Sequence, residues 1–189
     1  MDLRTAYWID VCAWLAWGGY WMAAARFVQR SQSSESVLMR MTHLLPLAAG
    51  FFLIFHGGDY SVIYGRLVRS DWIALLGTLV TIGGLLFAVW GRVHLGRYWS
   101  GIITLKEGHK LIRTGPYRFV RHPLYTGFLS AVLGSALVMF TGDACAGFAV
   151  ILVAYIVKIR REETVLTGAF GDEYRQYRRE VSALVPGVY

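Results

Sequence analysis

An all-α, polytopic integral membrane protein is the fold class this sequence predicts, with about five transmembrane helices and a cytoplasmic cap. Three observations predict it. The 189 residues are 56% hydrophobic and only 16% charged, whereas soluble domains carry about a quarter charged residues. The apolar residues fall in runs of roughly 18 to 25, enough helix to cross a hydrocarbon core about 30 Å thick. The runs lack the two-residue alternation of barrel strands, and lipid offers no partner to an open backbone, so the spans must be helices.

Five spans are expected: Ala6 to Phe27, Met41 to Tyr64, Trp72 to Val93, Leu124 to Phe140, and Ala144 to Val157. The first is longer than a secretory signal's apolar region. It carries Asp10 with Trp8, Trp14, Trp17 and Trp21 and shows no clear cleavage site, so it reads as a retained span. Trp14, Trp17 and Trp21 lie near one helical stripe, which reads as packing surface or interfacial anchoring rather than a binding box. Gln29 to Ser36 is a Ser/Gln-rich loop. In the second span His56 and Asp59 share a face, separated by Gly57 and Gly58, and read as a satisfied polar pair near the outer boundary. Gly77, Gly83 and Gly84 of the third span read as close helix contacts.

The segment Gly91 to Arg121, mixed in charge and bearing Tyr98-Trp99, is too long for a connector in so small a bundle and is expected to form the cap. A turn at Thr141-Gly142-Asp143 folds the last two spans into an antiparallel hairpin. After Leu166, the stretch Phe170 to Tyr177 is expected to be a charged helix lying against the membrane surface. The chain is one membrane domain: residues 1-93 hold three amino-terminal spans and residues 94-189 the remainder.

Five spans place the termini on opposite faces. All of the 19 basic residues except Arg4, Arg66 and Arg69 then fall on one face, which the positive-inside rule makes cytoplasmic. The amino terminus is thus expected outside and the carboxyl terminus in the cytoplasm. The net charge of +7 reads as topology and attraction to anionic membrane lipids, with no nucleic-acid partner. Cys12 and Cys145 lack metal-ligand or disulfide spacing, so no metal site is expected and both read as small apolar packing residues.

The chemistry-bearing residues cluster at two places about equally far from the hairpin turn. At the first, Pro123 suits a first helical position, and the free N–H groups behind it favour an anion such as a ligand carboxylate. Arg121 and His122 add donors there, and the rings of Tyr117 and Tyr125 offer faces to a heterocycle or a cationic sulfur. At the second, Lys158 and Glu162 share a helix face, with Glu163 one step round. Acids at a helix carboxyl end oppose its dipole, so these two call for a compensating partner.

The run Gly-Pro-Tyr-x3-Arg-His-Pro-x-Tyr-x-Gly, ending at Gly127, is followed after about 35 residues by Glu-Glu-x2-Leu-x3-Phe-Gly-x-Glu-Tyr-x2-Tyr, ending at Tyr177. In these motifs residues 94 to 187 resemble the isoprenylcysteine carboxyl methyltransferase family of integral-membrane enzymes. The resemblance implies S-adenosylmethionine as donor, bound at the cytoplasmic end beneath the cap by the catalytic half, residues 94-189. It implies a cofactor pocket at His109, Lys110, Leu111, Ile112, Tyr117, His122, Pro123, Leu124, Tyr125 and Glu162, to which Arg121 adds its donors. It implies an acceptor-holding cation at Lys158, where the enzymes acting on prenylated proteins carry arginine, with Arg160 and Arg161 nearby. An ammonium cannot reproduce the bidentate grip of a guanidinium on a carboxylate.

The implied reaction is methyl transfer to a lipophilic acceptor, foremost the carboxylate of an isoprenylcysteine-like or other small lipid. Alignment and electrostatics then dominate, because a sulfonium is already activated and a carboxylate already ionised. An amine or thiol must lose a proton, and Glu162 or Glu163 would take it. The acceptor is expected to enter sideways from lipid and the donor from the cytoplasm. Two other readings are a membrane reductase using NADPH, which sterol-reductase tails resemble but which no dinucleotide glycine fingerprint supports, and a non-catalytic transport or binding bundle, against which stands the absence of broken spans.

Overall fold

The computed structural model describes residues 1–26, 36–56, 70–96, 99 and 111–188, and everything it describes in regular structure is helical. The elements are α1 (Leu3–Ala25), α2 (Val37–His56), α3 (Asp71–Leu95), a 3-10 turn (Gly115–Arg118), α4 (Pro123–Met139), α5 (Gly142–Phe170) and α6 (Asp172–Glu180). Among the described residues α2, α3 and α5 are each long and apolar enough to cross a membrane, and α4 is a shorter apolar helix. The expected ends beyond Arg26 and His56 lie outside the described residues, as do Asp59, Gly57, Gly58, Tyr98 and most of the Gln29–Ser36 loop.

The core of the bundle is built from small residues. On α3, Ala74, Gly77, Thr81, Gly84, Ala88 and Gly91 are buried, while Leu76, Leu79 and Leu86 are more than half exposed. A soluble helix does the reverse. In lipid the apolar effect does not drive helices together, so small residues that let backbones approach become the contact surface. A methyl added at Gly77 would stand 2.7 Å from the Gly134 carbonyl oxygen, and one at Gly84 2.6 Å from the Ala131 nitrogen. The glycines therefore lock α3 against an antiparallel α4. Gly50 and Gly147 do the same for α2 and α5. Gly83, expected at a helix contact, is not in one, because it points into open space one step round from Gly84.

Two boundaries differ from expectation. The hairpin turn is tighter: Phe140, in the left-handed region at φ 44°, ends α4, and Thr141 caps α5 by accepting from the Ala144 N–H at 3.1 Å. Gly142 and Asp143 are already helical. At the other end α5 does not stop at Val157 but runs 29 residues to Phe170, about 44 Å at 1.5 Å per residue. Nothing after Val157 breaks a helix until Gly171, which adopts φ 54° and closes it. Glu162 and Glu163 are thus two turns inside the helix rather than at its carboxyl end. The dipole argument for their needing a partner does not apply, and burial supplies the reason instead.

Several polar side chains inside the bundle pair across helices. The Ser135 hydroxyl of α4 donates to Asp10 of α1 at 2.8 Å and accepts from the Trp14 indole at 2.8 Å. Arg92, near the end of α3, donates to the carbonyls of Ala24 and Gly96 and stacks on Trp99. It ties α1, α3 and the following segment together. Cys12 and Cys145 are exposed on the outer helix faces rather than packed inside. In a bundle whose interior is reserved for glycine-mediated approach, the lipid-facing side is where an apolar thiol costs nothing.

Candidate active site

The carboxyl-terminal tail brings the two polar clusters together. After α6, Ser182 and Ala183 accept hydrogen bonds from the backbone N–H groups of Arg121 and His122. The Thr126 hydroxyl donates to Leu184, and the Tyr177 hydroxyl to the carbonyl of Tyr117. The loop before α4 is thereby clamped against the tail, with His122 facing α5.

Glu163 sits at the centre of that clamp. Its carboxylate lies 2.7 Å from the Arg121 guanidinium, 3.2 Å from Arg178 and 3.3 Å from His122 Nε2. Burial pushes the Glu163 carboxyl up, but hydrogen bonds from His122 and Arg121, with their charges, more than offset it and hold the group at about 2. This is how an acid only 6% exposed stays ionised. Arg121 also donates to the carbonyls of Arg178 and Val181, so its guanidinium is committed to the tail.

Glu162 has the opposite character. It is partly open, accepts from the Tyr125 hydroxyl at 2.7 Å and stands 3.9 Å from His122 Nδ1. The Tyr125 ring stacks on His122 with 13° between planes. One turn earlier, Lys158 places its ammonium 5.3 Å from the Tyr125 ring centre and 5.7 Å from that of Tyr155.

Glu162 and Lys158 face a cavity of about 330 Å³. Tyr117, Leu111 and Ile112 form one side of it with Tyr174 and Tyr177 from α6. Trp21 and Trp99, in edge contact at 5.3 Å, form another. Trp17, Leu47, Phe128 and Tyr155 complete its aromatic and apolar lining. Three polar atoms that belong to lining residues are buried with no hydrogen-bond partner among the described residues: the hydroxyls of Tyr117 and Tyr174 and the indole nitrogen of Trp17. Burial, then the nearby Glu162 carboxylate, push the Tyr117 phenol well above its ordinary value, so it remains an O–H donor. The Tyr174 phenol is raised by burial and by Glu163 and Glu162. Unpaired buried donors around a carboxylate and aromatic faces suit a polar heterocyclic ligand.

Of the residues expected at the site, Leu111, Ile112, Tyr117, Arg121, His122, Leu124, Tyr125, Lys158 and Glu162 line the cavity. Pro123 opens α4 and packs toward Gly91. Glu163 stands behind His122. Arg160 is exposed, and Arg161 turns away to the Thr42 hydroxyl of α2 at 2.9 Å. His109 and Lys110 lie outside the described residues. The walls from α1 and α2, including Trp17, Trp21, His43 and Leu47, were not expected. Their signal was present in the tryptophan stripe, which divides: Trp14 packs, and Trp17 and Trp21 face the cavity.

The isoprenylcysteine carboxyl methyltransferase family model matches residues 75–168. A probable protein-S-isoprenylcysteine O-methyltransferase of Oryza sativa subsp. indica is 28% identical over 191 residues, 98% of each chain. A methanethiol S-methyltransferase of Bradyrhizobium diazoefficiens is 49% identical over 71 residues, 37% of this chain and 24% of that one. Among solved structures, a eukaryotic intramembrane Ras methyltransferase, itself an isoprenylcysteine carboxyl methyltransferase, matches with a TM-score of 0.55 at 19% identity, over 83% of this chain and 55% of that one. That last likeness is one of fold.

Proposed function

This chain belongs to the isoprenylcysteine carboxyl methyltransferase family, and on that premise we propose that the cavity beside Glu162 is where an S-adenosylmethionine-dependent methyltransferase of the membrane joins its donor to a lipophilic acceptor. The observation that carries the reading is the convergence of both sequence motifs on one cavity edged by unpaired donors. When bound, S-adenosylmethionine supplies a methyl group on a sulfonium, which is already a good leaving group. The residues fit it. Tyr117 and Tyr174 have hydroxyls for its polar groups, Trp21 and Trp99 have faces for its base, and Glu162 with the tyrosine rings favours its positive sulfur.

The protein's own work is then alignment and exclusion of water. Tyr125 orients Glu162, and His122 holds Tyr125 in place by stacking. Lys158 holds an anionic acceptor head. An acceptor that arrives as a thiol gives its proton to Glu162, since Glu163 is committed to Arg121, Arg178 and His122.

In this reading all five long helices cross the membrane. The Met1 ammonium lies near Asp71, and Arg92 reaches Ala24, so α1 and α3 run in the same direction. The face with the cavity carries the basic residues and is cytoplasmic, with the amino terminus outside. Of the expected cap, Gly91 to Arg121, the described residues 111–121 lie on this face together with residues 171–188. Residues 94–189 are the donor-binding half, and α1 and α2 complete the acceptor side.

Calorimetry on the purified protein tests the donor. Binding of S-adenosylmethionine without binding of NADPH is the expected result, and the reverse would replace the methyltransferase with a reductase. Incubation with methyl-labelled donor and total membrane lipids then identifies the acceptor.

A further inference from the structure

Resting on the methyltransferase reading, we propose that the acceptor is a compact lipophile with an anionic sulfur or oxygen head, because an aromatic floor pinned by Asp10 and Ser135 stops the cavity one helical turn below Lys158. Tyr155 is the cavity residue one turn toward the bilayer centre from Lys158, and Phe128 lies against it with ring centres 5.0 Å apart. Below them Trp14 closes the space in edge contact with Phe51 at 5.0 Å and with Phe128 at 5.6 Å. Phe51 in turn stacks on Phe55 with 4° between planes. The nearest glycine approach, Gly50 to Gly147, is itself closed by backbone and by Ile151.

The floor is fixed rather than merely filled. The Trp14 indole donates to Ser135, and Ser135 donates to Asp10, which is 1% exposed. A ring held at both its edge and its nitrogen cannot swing aside without leaving buried polar groups unpaired, each costing roughly 1–3 kcal/mol. The proposed reaction makes no use of these polar residues.

Size and polarity agree with the floor. A cavity of about 330 Å³ is at the small end of drug-sized ligand sites, roughly 300–1,000 Å³, and it must admit the donor as well. Lys158 marks the end at which an anion is held.

The test uses the full chain in lipid nanodiscs, with alkanethiols and alkanoic acids from methyl to dodecyl and with S-farnesylcysteine. Turnover is measured with S-adenosylmethionine, and binding of the corresponding unreactive methyl sulfides and methyl esters is read by tryptophan fluorescence. Affinity should rise about four-fold per methylene that fits, then break at a short chain in the wild type. Trp14→Ala and Phe51→Leu should carry the rise several methylenes further, and Ser135→Ala should soften the break. Donor affinity, by calorimetry, should not change. The thiol and acid series separate the two head groups. A wild type that favours S-farnesylcysteine, or a break at the same length in every variant with donor binding intact, overturns the floor. An unchanged break in Ser135→Ala alone removes the pinning. If the sulfides and esters show the break but S-adenosylmethionine does not bind, the floor stands and the methyltransferase reading falls.

Discussion

Glu162 and Glu163 are neighbours in sequence with opposite duties, and exchanging each for glutamine should separate stability from donor binding. Glu163 is 6% exposed and meets Arg121, Arg178 and His122. Removing one member of a buried charge cluster costs about 3–5 kcal/mol, and glutamine keeps one acceptor oxygen, so Glu163→Gln should lose about 2–4 kcal/mol in detergent unfolding. Glu162 is partly open and accepts one bond from Tyr125. Glu162→Gln should change stability by less than about 1 kcal/mol yet weaken S-adenosylmethionine by ten-fold or more, since a charge facing a sulfonium is lost. The pH dependence adds an independent check. Glu163 is held at about 2 against an ordinary value of 4.5, so its contribution is complete above the ordinary carboxylate range. It is lost as pH falls from about 4.5 through 2. The difference in melting temperature between wild type and Glu163→Gln should therefore shrink as pH falls from about 4.5 through 2. Equal stability of the two variants at pH 7, or a difference that widens in acid, would refute the assignment of Glu163 as the clamp.

Three further outcomes follow from the same geometry. Gly84→Leu should abolish folded protein in detergent, because a side chain there meets the Ala131 backbone, while Gly83→Leu, facing open space, should leave size-exclusion behaviour unchanged. Lys158→Ala should raise the acceptor KM about ten-fold with donor affinity intact, measured by initial rates and calorimetry. Tyr117→Phe and Tyr174→Phe, each removing a buried unpaired hydroxyl, should leave the apo-protein equally or more stable and weaken donor binding several-fold.

The helical membrane class and the meeting of the two motifs were legible in the sequence because both follow from local patterns. Apolar run length sets the spans, and a hairpin brings equidistant residues together. Gly83 and Gly84 show where such reading ends: adjacent glycines are identical in composition, and only the helix phase relative to α4 decides which one touches. The extent of α5 was missed for a related reason, since a helix that leaves the bilayer stops being apolar without ceasing to be a helix. Asp10 was visible only as an oddity in an apolar run. Its partner Ser135 is 125 positions away, a distance at which periodicity carries no information.

The same distance explains how the amino-terminal helices join a site whose motifs all lie after residue 94. Their contribution is apolar and aromatic, a composition that in any single span is indistinguishable from lipid-facing surface. What distinguishes Trp17 from Trp8 is that Phe128 of α4 packs against it. In the proposed reading residues 94–189 supply the charged and hydroxyl-bearing groups for the donor, whereas α1 and α2 bring shape. Methyl transfer can then be kept while the acceptor changes, by putting smaller side chains in place of Trp14, Phe51 or Leu47 without disturbing His122, Tyr125 or Glu162. A chimera exchanging α1 and α2 with those of the Oryza sativa relative should accordingly keep its affinity for S-adenosylmethionine and take on the relative's acceptor preference. A chimera that loses the donor but keeps its own acceptor would reverse this division of labour between the two halves.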